Sequence, residues 1–215
     1  MKPKGELMRK VGVVTEGESE VRGLPMLYPQ LERRLGLQIL RPVRASVDPL
    51  APVAVIARGA RTGIQMSFAR GAQLVVFLID REMSQTLASV RAAEIEARLR
   101  SDIDDRVRVV VKDRSFENWL IASPEGFRAQ RARYSRPERI EKAATPDKAD
   151  KVTDPCAVIN SSITRGQYDK TGDAPKILAA ASIESLAANS RSFRRFLAVL
   201  GDPVFSSGSK RPVKP

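Results

Sequence analysis

Five acidic side chains draw attention by where they fall. Glu16 and Glu20 lie in Glu16-Gly17-Glu18-Ser19-Glu20, Asp80 and Glu82 in Asp80-Arg81-Glu82, and Glu117 in Phe116-Glu117-Asn118. Each group comes after an apolar run. Carboxylates gathered at one place are hard-oxygen ligands suited to Mg²⁺ or Mn²⁺. Two such ions can clamp the attacking and leaving oxygens of a phosphodiester. Gly17 would let the backbone pass close to a metal or a phosphate. Arg81, Lys112 and Arg114, beside the same runs, are candidates to bind nucleic-acid phosphates. Each motif also has a plainer reading. Glu-Gly-x-x-Glu suits a helix N-terminus, where the macrodipole favours acids. Asp80 or Ser84 could simply cap the next helix, and Arg81 could balance the two acids around it. Recurrence after successive apolar runs, in a basic chain, favours the metal site.

The elements that must position these residues follow from hydrophobic periodicity. Residues 10–15 read as a buried strand, 21–35 as a helix closed by Gly36, and 37–43 as a second strand. Residues 46–60, with Pro49 and Pro52, are ambiguous; 62–69 reads as a helix. Residues 73–79 are apolar almost throughout, as a central strand covered on both faces should be. A helix over 86–100 and a strand over 106–111 follow. The alternation predicts an α/β fold with a mostly parallel sheet flanked by helices. In such sheets ligands bind at the carboxyl ends of strands, where the acids fall. Beyond them, 116–122, 124–133, 176–188 and 192–200 read as helices, making C-terminal helical additions. Residues 134–157 read as a long polar loop or a partly mobile insertion, and 206–215 as a disordered basic tail. One domain over 1–205 is expected.

Composition narrows the chemistry. The 215 residues contain no histidine, which excludes His-based triads, proton shuttles and metal sites, and one cysteine, Cys156, which excludes an intrachain disulfide and a Cys-rich zinc site. Thirty-seven Lys and Arg against 25 Asp and Glu give a formal net charge of +12, so a polyanion partner, nucleic acid first, is expected. Aromatic residues are only 5%, too few for a stacking platform for single strands. With no transmembrane run and no signal-peptide apolar region, a soluble cytoplasmic protein is expected.

Val13-Val14-Thr15-Glu16-Gly17-Glu18-Ser19-Glu20 resembles the first signature of Toprim domains, and Phe77-Leu78-Ile79-Asp80-Arg81-Glu82 the second, with Glu82 in place of the more usual aspartate. Phe116-Glu117-Asn118-Trp119-Leu120-Ile121-Ala122, Tyr168-Asp169-Lys170 and the Phe193–Leu197 stretch resemble segments of a bacterial group of unknown function related to the OLD-family nucleases. The resemblance spans about 10–202. It implies a Toprim-like, Rossmann-like fold with Glu16 as metal ligand or general acid/base, and Asp80 and Glu82 as ligands. It further implies Glu20 for a second metal, Glu117 completing the site, and Lys170 beside the scissile phosphate as a catalytic group. An ATPase partner and a place in phage defence are implied by the same resemblance.

The other candidates read more simply: Cys156 as a free thiol, Trp119 as core, Lys170 as a solvated loop lysine if it is not catalytic. The arginines between 128 and 139 could form a nucleic-acid stripe or a solvated face. Three functions compete: a metal-dependent nuclease or related phosphoryl-transfer enzyme, a catalytically silent module that binds nucleic acid or docks an ATPase, and a nucleotide enzyme. The last ranks lowest because the chain has neither a Walker A sequence nor G-x-G-x-x-G.

Overall fold

A computed structural model describes residues 8–205 of the chain. Its strands are β1 (Arg9–Thr15), β2 (Leu37–Ile39), β3 (Val43–Arg44), β4 (Leu74–Asp80) and β5 (Val107–Lys112). They form one sheet in the order β2-β1-β4-β5, with β3 also on β1, and every pairing is parallel. The helices are α1 (Glu18–Gly23), α2 (Tyr28–Leu35), α3 (Val53–Ala69), α4 (Ala88–Asp102), α5 (Phe116–Ile121), α6 (Pro124–Arg128), α7 (Glu138–Ala143), α8 (Pro155–Ser162), α9 (Lys170–Ala179), α10 (Ile183–Asn189) and α11 (Arg191–Leu200). The α/β class with a parallel sheet and C-terminal helices is as expected from the alternation.

Strand alternation divides the core in two. Val11, Val13, Val76, Leu78 and Val110 face a layer built from α1, α2 and the helices after β5. Val14, Val75, Phe77, Ile79 and Val109 face α3 and α4 through Ile56, Ile64, Ile95 and Leu99. Continuous apolarity in β4 is thus the mark of a strand buried on both sides. Trp119 fastens the C-terminal helices. It is 1% exposed, packs edge-on to Phe193 at 5.0 Å between centroids, and donates its indole N–H to Ser192 Oγ at 2.8 Å.

Several elements depart from the sequence reading, mostly at prolines. The helix expected over 21–35 is broken into α1, a 3₁₀ turn at Leu24–Met26 containing Pro25, and α2, which has Pro29 in its first turn. The strand expected over 37–43 splits into β2 and β3, with Pro42, which has no N–H to donate, between them. The ambiguous stretch before residue 62 is the first half of α3, which starts directly after Pro52. The helix expected over 176–188 is two helices, α9 starting after Asp169 and α10 after Ser182, each capped by that side chain. Residues 134–157 are not the long loop that their polarity suggested. They contain α7, a 3₁₀ turn at Ala149–Lys151 and the start of α8, and they bury Tyr134, Ile140 and Ala149 completely. The basic tail lies outside the described residues. No described helix is long and apolar enough to cross a membrane.

Candidate metal centre

The carboxyl ends of β1 and β4 bring three of the acids together. Glu16 follows the last residue of β1, Asp80 closes β4, and Glu20 lies in the first turn of α1. Each offers a carboxylate oxygen, and these lie within 4.8 Å of one another. Glu16 Oε1 accepts the backbone N–H of Asp80 at 2.5 Å, which ties the two strand ends. Ser19 Oγ donates to Glu20 Oε2 at 3.0 Å. Gly17 has ordinary extended backbone, so its importance is spatial: a Cβ there would lie 1.9 Å from Glu20 Oε2. It makes room for the Glu20 carboxylate.

Lys112 is placed differently from the expectation. Its side chain is 0% exposed and therefore cannot meet a phosphate at the surface. The register pairs Asp80 with Lys112 across β4 and β5, which sends both side chains to the same face. The ammonium donates to Glu20 Oε1 and lies 2.9 Å from Asp80 Oδ1 and 3.6 Å from Glu16 Oε1. Burial alone would depress the Lys112 ammonium; the charges of Asp80, Glu20 and Glu16 outweigh it and hold it above the usual lysine range. Three carboxylates share this one cation, and the balance differs among them. Burial pushes Glu16 up to about 7 and Asp80 well above the aspartate range, against the pull of Lys112. Burial also pushes Glu20 up, but the Lys112 charge and hydrogen bond prevail and hold it low.

Glu82, Glu117 and Lys170 line the same cleft, of about 290 Å³, with the trio. Glu82 stands beyond the end of β4 on left-handed backbone (φ 52°), so the strand alternation that would align it with Asp80 has already ended. It is exposed and not a member of the compact trio. Glu117, in α5, is 2% exposed, and its Oε1 lies 3.2 Å from Lys170 Nζ at the start of α9. Lys170 is 61% exposed, so it stands at the mouth of the cleft.

Arg81 turns to the opposite face of the sheet from Asp80, as alternation requires, and its Nη2 lies 3.0 Å from Asp113 Oδ1. Arg114 also has left-handed backbone (φ 83°), and its carbonyl accepts the Glu82 N–H at 2.8 Å. The arginine stripe over 128–139 is interrupted: Arg128 pairs with Glu141 at 2.7 Å and Arg133 with Asp173 at 2.5 Å. The centre's internal cation and the Asp113 anchor of Arg81 both escaped the sequence reading. A lysine closing an apolar run beside a second run that ends in aspartate is the signal that was there for Lys112.

The donor set fits a hard divalent cation. It is all oxygen, Glu16 Oε2 is buried without a hydrogen-bond partner, and the trio with Lys112 carries a charge of −2 when all four groups are ionised.

Comparison with known proteins adds the following. No curated protein matches the chain. The C-terminal region of the Burkholderia pseudomallei OLD protein is similar to it at 18% identity and a TM-score of 0.47, covering 90% of this chain and 99% of that one. The C-terminal region of the Xanthomonas campestris pv. campestris OLD protein is similar at 14% identity and a TM-score of 0.40, covering 90% and 98%. Residues 15–201 match the family described as Domain of unknown function (DUF4276), which takes in both strand-end acidic motifs and the closing helix. The chain belongs to that family.

Proposed function

We propose that this protein is a divalent-metal-dependent phosphodiester hydrolase acting on nucleic acid. The observation that carries the reading is the trio Glu16, Glu20 and Asp80, which converges at the carboxyl end of a parallel sheet in a chain of net charge +12. The sequence resemblance to Toprim domains and OLD-family nucleases supports the same chemistry. The trio would hold one Mg²⁺ or Mn²⁺, and Glu82 and Glu117 would complete the set for a second. When bound, such ions supply positive charge at phosphoryl oxygens and acidify water.

The chain's own groups divide the remaining work. Lys112 keeps three carboxylates within one small volume by cancelling part of their repulsion. Glu16 Oε2, buried without a hydrogen-bond partner, is the acceptor the site leaves open for the ion or for a proton of the attacking water. That water's oxygen forms the new bond to phosphorus as the ester P–O bond breaks, and the leaving alkoxide takes a proton from solvent. Lys170, at the mouth, stabilises negative charge developing on the phosphoryl oxygens. By the resemblance, activity in the cell would involve an ATPase partner and serve defence against phage.

A second reading, a catalytically silent module, draws on Lys112: an internal ammonium already neutralises part of the cluster and could make it purely structural. Incubating the protein with single- and double-stranded DNA and RNA, with Mg²⁺ or Mn²⁺, decides between them. Cleavage by wild type and none by Asp80→Asn is expected. Equal cleavage by the variant sinks the assignment, and no product from wild type on any substrate favours the silent module.

A further inference from the structure

At the same end of the sheet, beside its β5 edge and between the start of α4 and α11, lies a second cleft, of about 350 Å³. Its charged lining is Arg81 from the end of β4, Arg114 from the end of β5, Lys151, Arg191 and Arg195 from α11, and two acids, Asp113 and Asp150. Both acids are already engaged. Asp113 bridges Arg81 at 3.0 Å and Arg191 at 2.9 Å, so one carboxylate holds two guanidiniums side by side. Asp150 accepts from Ser190 Oγ and the Ser192 N–H, both at 2.8 Å. Five cations against two acids leave an excess of three positive charges.

The arrangement is unfavourable without an anion. Arg191 and Arg195 are four residues apart on one helix, so like charges face each other on adjacent turns. Arg195 is half-buried and forms no ion pair among the described residues; its burial and the Arg191 charge both make its cation harder to hold. The Nε atoms of Arg81 and Arg114 are buried without hydrogen-bond partners. Guanidiniums with free edges, crowded by like charge, are matched to the tetrahedral oxygens of a phosphate.

We propose that this cleft is a phosphate-binding subsite for the nucleic-acid backbone, built by Arg81, Arg114, Lys151, Arg191 and Arg195 and independent of the carboxylate centre. The proposal rests on the nucleic-acid reading for the identity of its ligand. The strand ends connect the two sites: Asp80 and Lys112 face the carboxylate centre, whereas Arg81 and Asp113, their next neighbours, face the cleft. A nucleic-acid strand crossing the end of the sheet would thus meet metal ligands on one side and arginines on the other.

Anisotropy of a labelled single-stranded oligonucleotide, titrated with salt in EDTA, tests this with the metal chemistry removed. Each lost phosphate contact should flatten the logarithmic salt slope by about 0.7 and weaken binding about fivefold at roughly 0.1 M salt. That loss is expected for Arg195→Ala, and about twenty-five-fold for Arg191→Ala with Arg195→Ala, if the two contacts are independent. Arg195→Lys should keep most of the slope, and Arg98→Ala, an exposed arginine of α4 paired with Asp102, should bind as wild type. Arg195 makes no ion pair among the described residues, so its removal should leave the melting temperature in place. Unchanged binding in both the single and the double variant overturns the subsite, as does a wild type that binds no oligonucleotide in EDTA. Calorimetry of Mn²⁺ on the same samples reads the carboxylate centre separately, so either claim can fail alone.

Discussion

Replacing Lys112 with methionine keeps most of the side chain's length, one atom short, and removes the ammonium that lies inside the carboxylate trio. In wild type its ammonium lies 2.9 Å from Asp80 and 3.6 Å from Glu16, donates to Glu20, and is fully buried. Without it three carboxylates remain with oxygens within 4.8 Å of one another. At an effective dielectric constant of about 20 each pair at that separation repels by about 3.5 kcal/mol, so the trio cannot stay fully ionised. It must take up protons or open. Breaking a buried ion pair from one side costs about 3–5 kcal/mol, which for a chain of this size lowers the melting temperature by roughly 6–20 °C. Urea unfolding at pH 7.5 in EDTA, with the slope against urea compared between proteins, measures the loss. Mn²⁺ should restore more stability to Lys112→Met than to wild type, because it replaces the missing charge; at a hundred times Kd the gain is about 2.7 kcal/mol. A loss below about 1 kcal/mol with an unchanged urea slope, or no extra rescue by Mn²⁺, refutes the role assigned to Lys112.

Two further outcomes test particular contacts. Gly17→Ala puts a methyl where the Glu20 carboxylate lies, and Lys112 and Ser19 hold that carboxylate in place. The fold should survive while Mn²⁺ affinity in calorimetry falls at least about tenfold, since ligand geometry sets affinity. Unchanged affinity would mean that Glu20 is not a ligand. Cys156 should be a slow thiol: burial, with Glu117 nearby, pushes it from 9.0 to about 11, so at pH 8 its thiolate is about a hundredfold scarcer than that of an unperturbed cysteine. Iodoacetamide labelling should be correspondingly slow and quicken as pH rises toward 11. Rapid labelling at pH 8 in the folded protein would contradict that environment.

Much of the frame was legible because it depends on local pattern. The unbroken apolar run of β4 announced a strand covered on both faces, and the helix-period stripe of α4 a helix packed on it. Placing acids at strand ends needed only the direction of a parallel sheet. What was not legible depends on pairing between distant segments. Lys112 joins the carboxylates because β5 lies beside β4 in one register; nothing within residues 107–112 says which neighbour its side chain will meet. Glu82 stands apart from the trio because the strand ends at Asp80 and the backbone turns left-handed at Glu82, which the sequence does not announce. The stretch 134–157 looked like a loop because its few apolar residues are widely spaced. Tyr134, Ile140 and Ala149 are buried all the same, against a core that later helices complete.

The measurement that bears most directly on the central claim is Mn²⁺ binding by calorimetry, on wild type and on Asp80→Asn. Asparagine keeps the shape of Asp80 but removes one charge from the trio at the end of β4. The account expects saturable binding by wild type and its loss in the variant, with both proteins folded. Folded wild type that binds no Mn²⁺, or a variant that binds as well as wild type, would contradict a carboxylate metal centre at Glu16, Glu20 and Asp80.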